Sequence, residues 1–157
     1  MDSPSLDTRT IIALLALGNV VSPILFIAYR GAAGRERLFR RFIRGRFLQA
    51  LAWILLGLRG LIPDVVSVYL GNMAIFCGFA IEISAVAIIG LDFSRGRTWN
   101  RAFGAIAATG TLLFWTTAAN PSFRVGTAAA TMAAISFAGA VALLIAQRAS
   151  RLRLAVG

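Results

Sequence analysis

Apolar residues in this chain gather into five runs, each parted from the next by a short stretch of arginine, glycine, proline or acid. A helix needs roughly 20 mostly apolar residues to cross about 30 Å of hydrocarbon. Ile11 to Tyr29 reaches that length, with Asn19, Ser22 and Pro23 as its polar or irregular points. Phe47 to Ile62 is shorter. However, Phe39, Phe42, Ile43, Phe47, Ala50 and Ile54 recur at helical spacing, so the second helix is expected to begin in the basic stretch before it. Val65 to Leu91 carries one charged residue, Glu82, and its length suits a tilted or protruding helix. Ala102 to Ala119 and Val125 to Ala146 complete the set. The pattern therefore predicts an all-α integral membrane protein, a single bundle of five transmembrane helices at about 9–30, 38–61, 64–92, 100–119 and 122–148, with no soluble domain.

Composition supports lipid as the solvent for much of the surface. The 157 residues are 59% hydrophobic and 14% charged, against about 45–50% and 25% in soluble domains. All 16 basic residues are arginine. Their placement decides what they mean. Thirteen fall on one side of the expected spans: seven between Arg30 and Arg46, three between Asp92 and Arg101, and Arg148, Arg151 and Arg153. The other side has Arg9, Arg59 and Arg124, offset by Asp2, Asp7 and Asp64. The positive-inside rule then puts the N-terminus outside and the C-terminus in the cytoplasm. Arginines at the ends of apolar runs are membrane topology signals, so no nucleic acid is expected as a partner. The partner expected is the lipid bilayer. Asp2 and Asp7 are wrong for the positive start of a cleaved signal peptide, and none is expected.

The chain has no histidine and one cysteine, Cys77. No phosphate-binding glycine loop, zinc-protease helix or paired nucleophile and base is present, so no catalytic residue, metal site or cofactor is expected. The interest lies in a few polar groups. Glu82 sits inside the third run, where an ionisable group costs about 2.5–3.5 kcal/mol on insertion scales unless it is paired or wetted. Folding a hairpin about residue 62 brings position 82 level with 41–46, making Arg44 and Arg46 its candidate partners. Asn19, Gln49, Asn72 and Glu82 are then candidates for one internal polar track. In the connection Arg59-Gly-Leu-Ile-Pro-Asp64, Gly60 permits a tight turn. Asp64 is placed to cap the next helix, and Arg59 to snorkel or pair with it. Arg59, Asp64, Tyr69 and Asn72 also place donors and acceptors near an apolar wall. Gly104 with Ala108, and Gly126 with Ala130, Ala134 and Ala138, give small-residue spacing for close helix packing, with a homodimer face as the lesser alternative.

Gln49-Ala-Leu-Ala-Trp53, Leu58-Arg-Gly-Leu-Ile-Pro-Asp64, Leu70-Gly-Asn72 and Ala80-Ile-Glu82 resemble the multi-pass N-terminal membrane region of bacterial diguanylate cyclases. Leu6-Asp-Thr-Arg-Thr10 ahead of Leu14-Leu-Ala-Leu-Gly-Asn19, and Asn120-Pro-Ser-Phe-Arg-Val125, fit the same pattern. The resemblance implies a sensory or anchoring module of the bacterial inner membrane that controls a cytoplasmic output domain making cyclic di-GMP. The GGDEF catalytic sequence is not among these residues, so no catalytic position carries over and this chain is expected to be no enzyme by itself. The competing expectations are a small transporter or channel using the polar track, and a structural membrane partner or anchor.

The topology is testable directly. With Cys77→Ser as background, single cysteines at Ser3 and Asn120 should react with an impermeant thiol reagent in intact spheroplasts. Cysteines at Gly34 and Ser150 should not react, and the reverse labelling would exclude this orientation.

Overall fold

The computed structural model describes residues 7–28, 36–88 and 93–156, and these form an all-α helical bundle. Its helices are α1 (Thr8–Ala28), α2 (Glu36–Gly57), α3 (Gly71–Ile88), α4 (Phe93–Thr117) and α5 (Pro121–Val156), with a π-helical turn, Val65–Leu70, leading directly into α3. The connection expected between Arg30 and Arg35 and the segment ending at Asp92 lie outside the described residues. Two helical stretches, Val65–Ala87 and Pro121–Arg148, are long and apolar enough to cross a membrane, and Thr10–Leu25 is a shorter apolar helix. The helices α2 and α4 differ because each carries arginines well inside its first half: Arg37 to Arg46 in α2, and Arg95, Arg97 and Arg101 in α4.

The third helix is the centre of the bundle. It packs against α2, α4 and α5, while α1 lies on α2 and α5 lies on α4. Its apolar stretch is 56% buried, against 22% for that of α5. Phe76, Phe103, Phe114 and Ile135, from α3, α4 and α5, form the large buried side chains of the core. Phe114 stands edge-on to both Phe76 and Tyr69, at 5.9 and 6.3 Å between ring centres. Tyr69 also meets Trp115 edge-on at 6.0 Å, so its ring is held by packing.

Local sequence explains most of the helix ends. In the α2–α3 connection Gly60 has φ +86°, a left-handed conformation that a side chain would strain. Pro63 follows, and its carbonyl accepts from the amides of Val66 and Ser67 as the π-helical turn begins. Asp64 does not cap this helix with its side chain, contrary to expectation. Its own backbone is already helical, at φ −58° and ψ −30°, and not in the extended conformation from which a capping carboxylate reaches the first amides. Asn120 does supply a cap: its Oδ1 accepts from the Ser122 amide at 3.1 Å, one residue after Pro121 opens the helix. From there α5 runs 36 residues, past the expected end at 148, because Gln147 to Val156 contains neither glycine nor proline. Likewise α4 begins at Phe93 and not at about 100, so the basic stretch expected to be a turn is largely helix.

Glycine decides where helices touch. A Cβ built on Gly45 would lie 2.8 Å from the Gly78 carbonyl oxygen, and one on Gly78 would lie 2.9 Å from the Gly45 oxygen. The backbones of α2 and α3 thus meet face to face. Gly110 receives the Thr131 side chain, joining α4 to α5, and Gly139 receives Ile83, joining α5 to α3. Gly104 and Gly126, expected at close contacts, have nothing within 4 Å of a built Cβ. The helical phase of α4 and α5 turns Gly110 and Gly139 inward and leaves Gly104 and Gly126 on the open side.

These positions should respond in opposite directions. Gly78→Ala should lower stability in a detergent unfolding titration by about 1–3 kcal/mol, the usual range for overpacking. Gly104→Ala should be neutral or stabilising by up to about 1 kcal/mol, because alanine is the better helix former and meets no obstacle.

Candidate functional site

The backbone contact between Gly45 and Gly78 places the side chains one turn further along within reach of each other. On α2, Arg46 and Gln49 are three residues apart and share a face. On α3, Glu82 stands one turn beyond Gly78. The Arg46 guanidinium Nη2 pairs with Glu82 Oε1 at 2.7 Å. Gln49 Nε2 donates to Glu82 Oε2 at 2.5 Å, so both carboxylate oxygens are engaged. Arg46 Nη1 also donates to Asn19 Oδ1 at 3.2 Å, which brings α1 into the network. Asn19 in turn donates to the Leu15 carbonyl at 2.8 Å. Gln49 is 1% exposed, Asn19 7% and Glu82 9%. A guanidinium placed over the Phe42 ring, 5.4 Å from its centre, completes the enclosure. Arg46 Nε is buried without an acceptor among the described residues, the one imperfect point of the knot.

Of the two candidate partners for Glu82, the structure uses Arg46; Arg44 is on the exposed side of α2. Two residues apart on a helix, the pair cannot share a face. The expected polar track is interrupted. Asn19, Gln49 and Glu82 come together, whereas Asn72 donates its side-chain amide to the Val68 carbonyl at 2.7 Å. Asn72 lies ten residues before Glu82, about 15 Å along the helix, and its bond to Val68 repeats the spacing of Asn19 with Leu15. Within the knot the guanidinium bonds to two residues, and each carboxylate oxygen accepts from one donor. The described residues contain no metal-ligating cluster.

The other candidate residues sit at the opposite end of the α2–α3 hairpin. Arg59 Nε lies 3.9 Å from Asp64 Oδ1, with the Asp64 side chain 69% exposed, a loose pair in open surroundings. Arg59 and Asn72 line an apolar groove of about 450 Å³ together with Arg124 from the start of α5. In the sequence Arg124 is a topology signal and part of Asn120-Pro-Ser-Phe-Arg-Val125, with no link to Arg59. Its helical spacing with Val125, Ala128, Ala129 and Met132, all on the same groove, was the available clue.

Comparison with family models, curated proteins and solved structures gives no match for this chain.

The knot predicts a non-additive double-mutant cycle. Glu82→Leu leaves the Arg46 cation uncompensated and should cost about 3–5 kcal/mol of stability in detergent. Adding Arg46→Leu should recover part of that loss. Strict additivity of the two substitutions would show that the pair contributes no coupling.

Proposed function

We propose that this chain is the membrane-embedded input module of a signalling protein, five spans with the N-terminus outside and the C-terminus in the cytoplasm. It has no chemistry of its own and passes a change in helix packing to a cytoplasmic output domain. The observation that carries this reading is the continuity of α5. One helix of 36 residues begins at the groove that holds Arg124 and ends at Val156. At 1.5 Å per residue it measures about 54 Å, well beyond the roughly 30 Å of a hydrocarbon core. A single rigid element thus joins one end of the bundle to the arginine-rich end.

Membrane placement is supported by where the apolar surface lies. The α5 stretch is the more apolar of the two spanning candidates in composition and is mostly unburied. Leu112, Leu113, Phe123, Val125, Phe137 and Leu144 are all more than half exposed. Water would penalise such a surface, and hydrocarbon would not. The output domain is named only by the resemblance to diguanylate cyclase input regions, which makes cyclic di-GMP synthesis its reading. The paired charge of the Arg46–Glu82 knot and the separate bonding of Asn72 weigh against a proton or ion path.

Fusion of residues 1–157 to a cyclase domain tests the coupling. Alanines inserted between Arg148 and Ala149 rotate whatever follows by about 100° per residue. Cyclic di-GMP output should change with one or two insertions and return towards the original level with about seven, which make close to two full turns. Output indifferent to the number inserted, at equal protein level, would reduce the domain to an anchor.

A further inference from the structure

The groove between α2, α3 and α5 has a composition that selects its occupant. Its floor and walls are apolar: Trp53, Phe76 and Phe79 line it beside Leu56, Ile75 and Met132. Arg59, from the α2–α3 connection, and Arg124, from the first turn of α5, also line it. Among the described residues Arg124 makes no ion pair, and Arg59 faces only the loosely placed, exposed Asp64 carboxylate. The groove therefore carries a net positive charge on a wall that is otherwise largely hydrocarbon. Asn72, committed through its Nδ2 to the Val68 carbonyl, adds an amide beside the arginines. A soluble anion would match the arginines and waste the apolar wall. A neutral lipid tail would match the wall and leave two guanidinium groups in contact with nothing of opposite sign.

We propose that this groove is a binding site for an anionic phospholipid of the adjacent leaflet. Its phosphate is held between the forked donors of Arg59 and Arg124, and an acyl chain lies along Trp53, Phe76 and Phe79. Planar guanidinium forks suit phosphate oxygens, and a volume of about 450 Å³ accommodates part of one chain. The site spans α2, α3 and the first turns of α5, so an occupant touches the base of the helix that leads to the C-terminal end. The inference rests on the membrane placement proposed above and is independent of any output domain.

Tryptophan fluorescence in lipid nanodiscs separates these ideas. Trp99→Phe with Trp115→Phe leaves Trp53 as the sole reporter; Trp53→Phe with Trp99→Phe leaves Trp115, which is 46% exposed. Discs of phosphatidylcholine are doped with acyl-brominated phosphatidylglycerol or acyl-brominated phosphatidylcholine. Trp53 should be quenched with a preference for the anionic lipid of about thirtyfold, given roughly 1 kcal/mol for each of the two arginines near an anionic surface. Arg59→Gln and Arg124→Gln should each weaken that preference, and the double variant should abolish it while helix content and unfolding midpoint stay unchanged. Trp115 should be quenched equally by both lipids. Equal quenching of Trp53 by the two lipids, or a preference that survives the double variant, would overturn the site. Reversal of the quench by glycerol 3-phosphate would also overturn it, since a headgroup without a chain would then suffice. If neither lipid quenches Trp115, the membrane placement itself fails.

Discussion

A carboxylate enclosed by three helices constrains everything around it. A carboxylate taken into apolar surroundings is costly unless donors meet it. The donors come from α2, at Arg46 and Gln49, and they reach Glu82 because Gly45 and Gly78 let the two backbones touch. The same guanidinium holds Asn19, so α1 is positioned by the residue that neutralises α3. In lipid, where apolar contact between helices offers little driving force over apolar contact with solvent, such directed bonds and close backbone packing are what distinguish one arrangement from another. The small-residue contacts of Gly110 with Thr131 and Gly139 with Ile83 do the same for α4 and α5 without charge.

The molecule accordingly has two kinds of end. Near the Arg46–Glu82 knot, α1, α2 and α3 are joined by side-chain bonds. Near Arg59, the pairing is loose, the first turn of the third helix is π-helical, and arginines border an apolar groove. A π-helical turn widens the backbone and is common where a helix must adapt to function. The long α5 packs on α3 and α4 and is mostly unburied along its apolar stretch.

What sequence could and could not reveal follows from the range of each interaction. Helix character is a local property, and the repeat of Phe39, Phe42, Ile43 and Phe47 placed the start of α2 within its basic stretch. The level of Glu82 against Arg46 needed only hairpin arithmetic. The choice between Arg44 and Arg46 depended on helical phase relative to α3, which no local pattern supplies. Asn72 lies about 15 Å along the helix from Glu82 and bonds within its own helix, a choice of partner that hairpin arithmetic does not supply. Small residues were legible as such, but Gly104 and Gly126 look in sequence no different from Gly110 and Gly139. Which of them meets a neighbour is decided by packing between elements, and so is the convergence of Arg124 with Arg59.

The knot also makes one side chain answerable for two contacts. Gln49 and Glu82 are 33 residues apart and Asn19 and Arg46 27, so the bonds that join α1, α2 and α3 link parts of the chain that are distant in sequence. Arg46 takes part both in the pair with Glu82 and in the bond to Asn19. A change that moves its guanidinium therefore acts on α1 and α3 together. The two neighbours of α2 are coupled through a single residue of the helix between them.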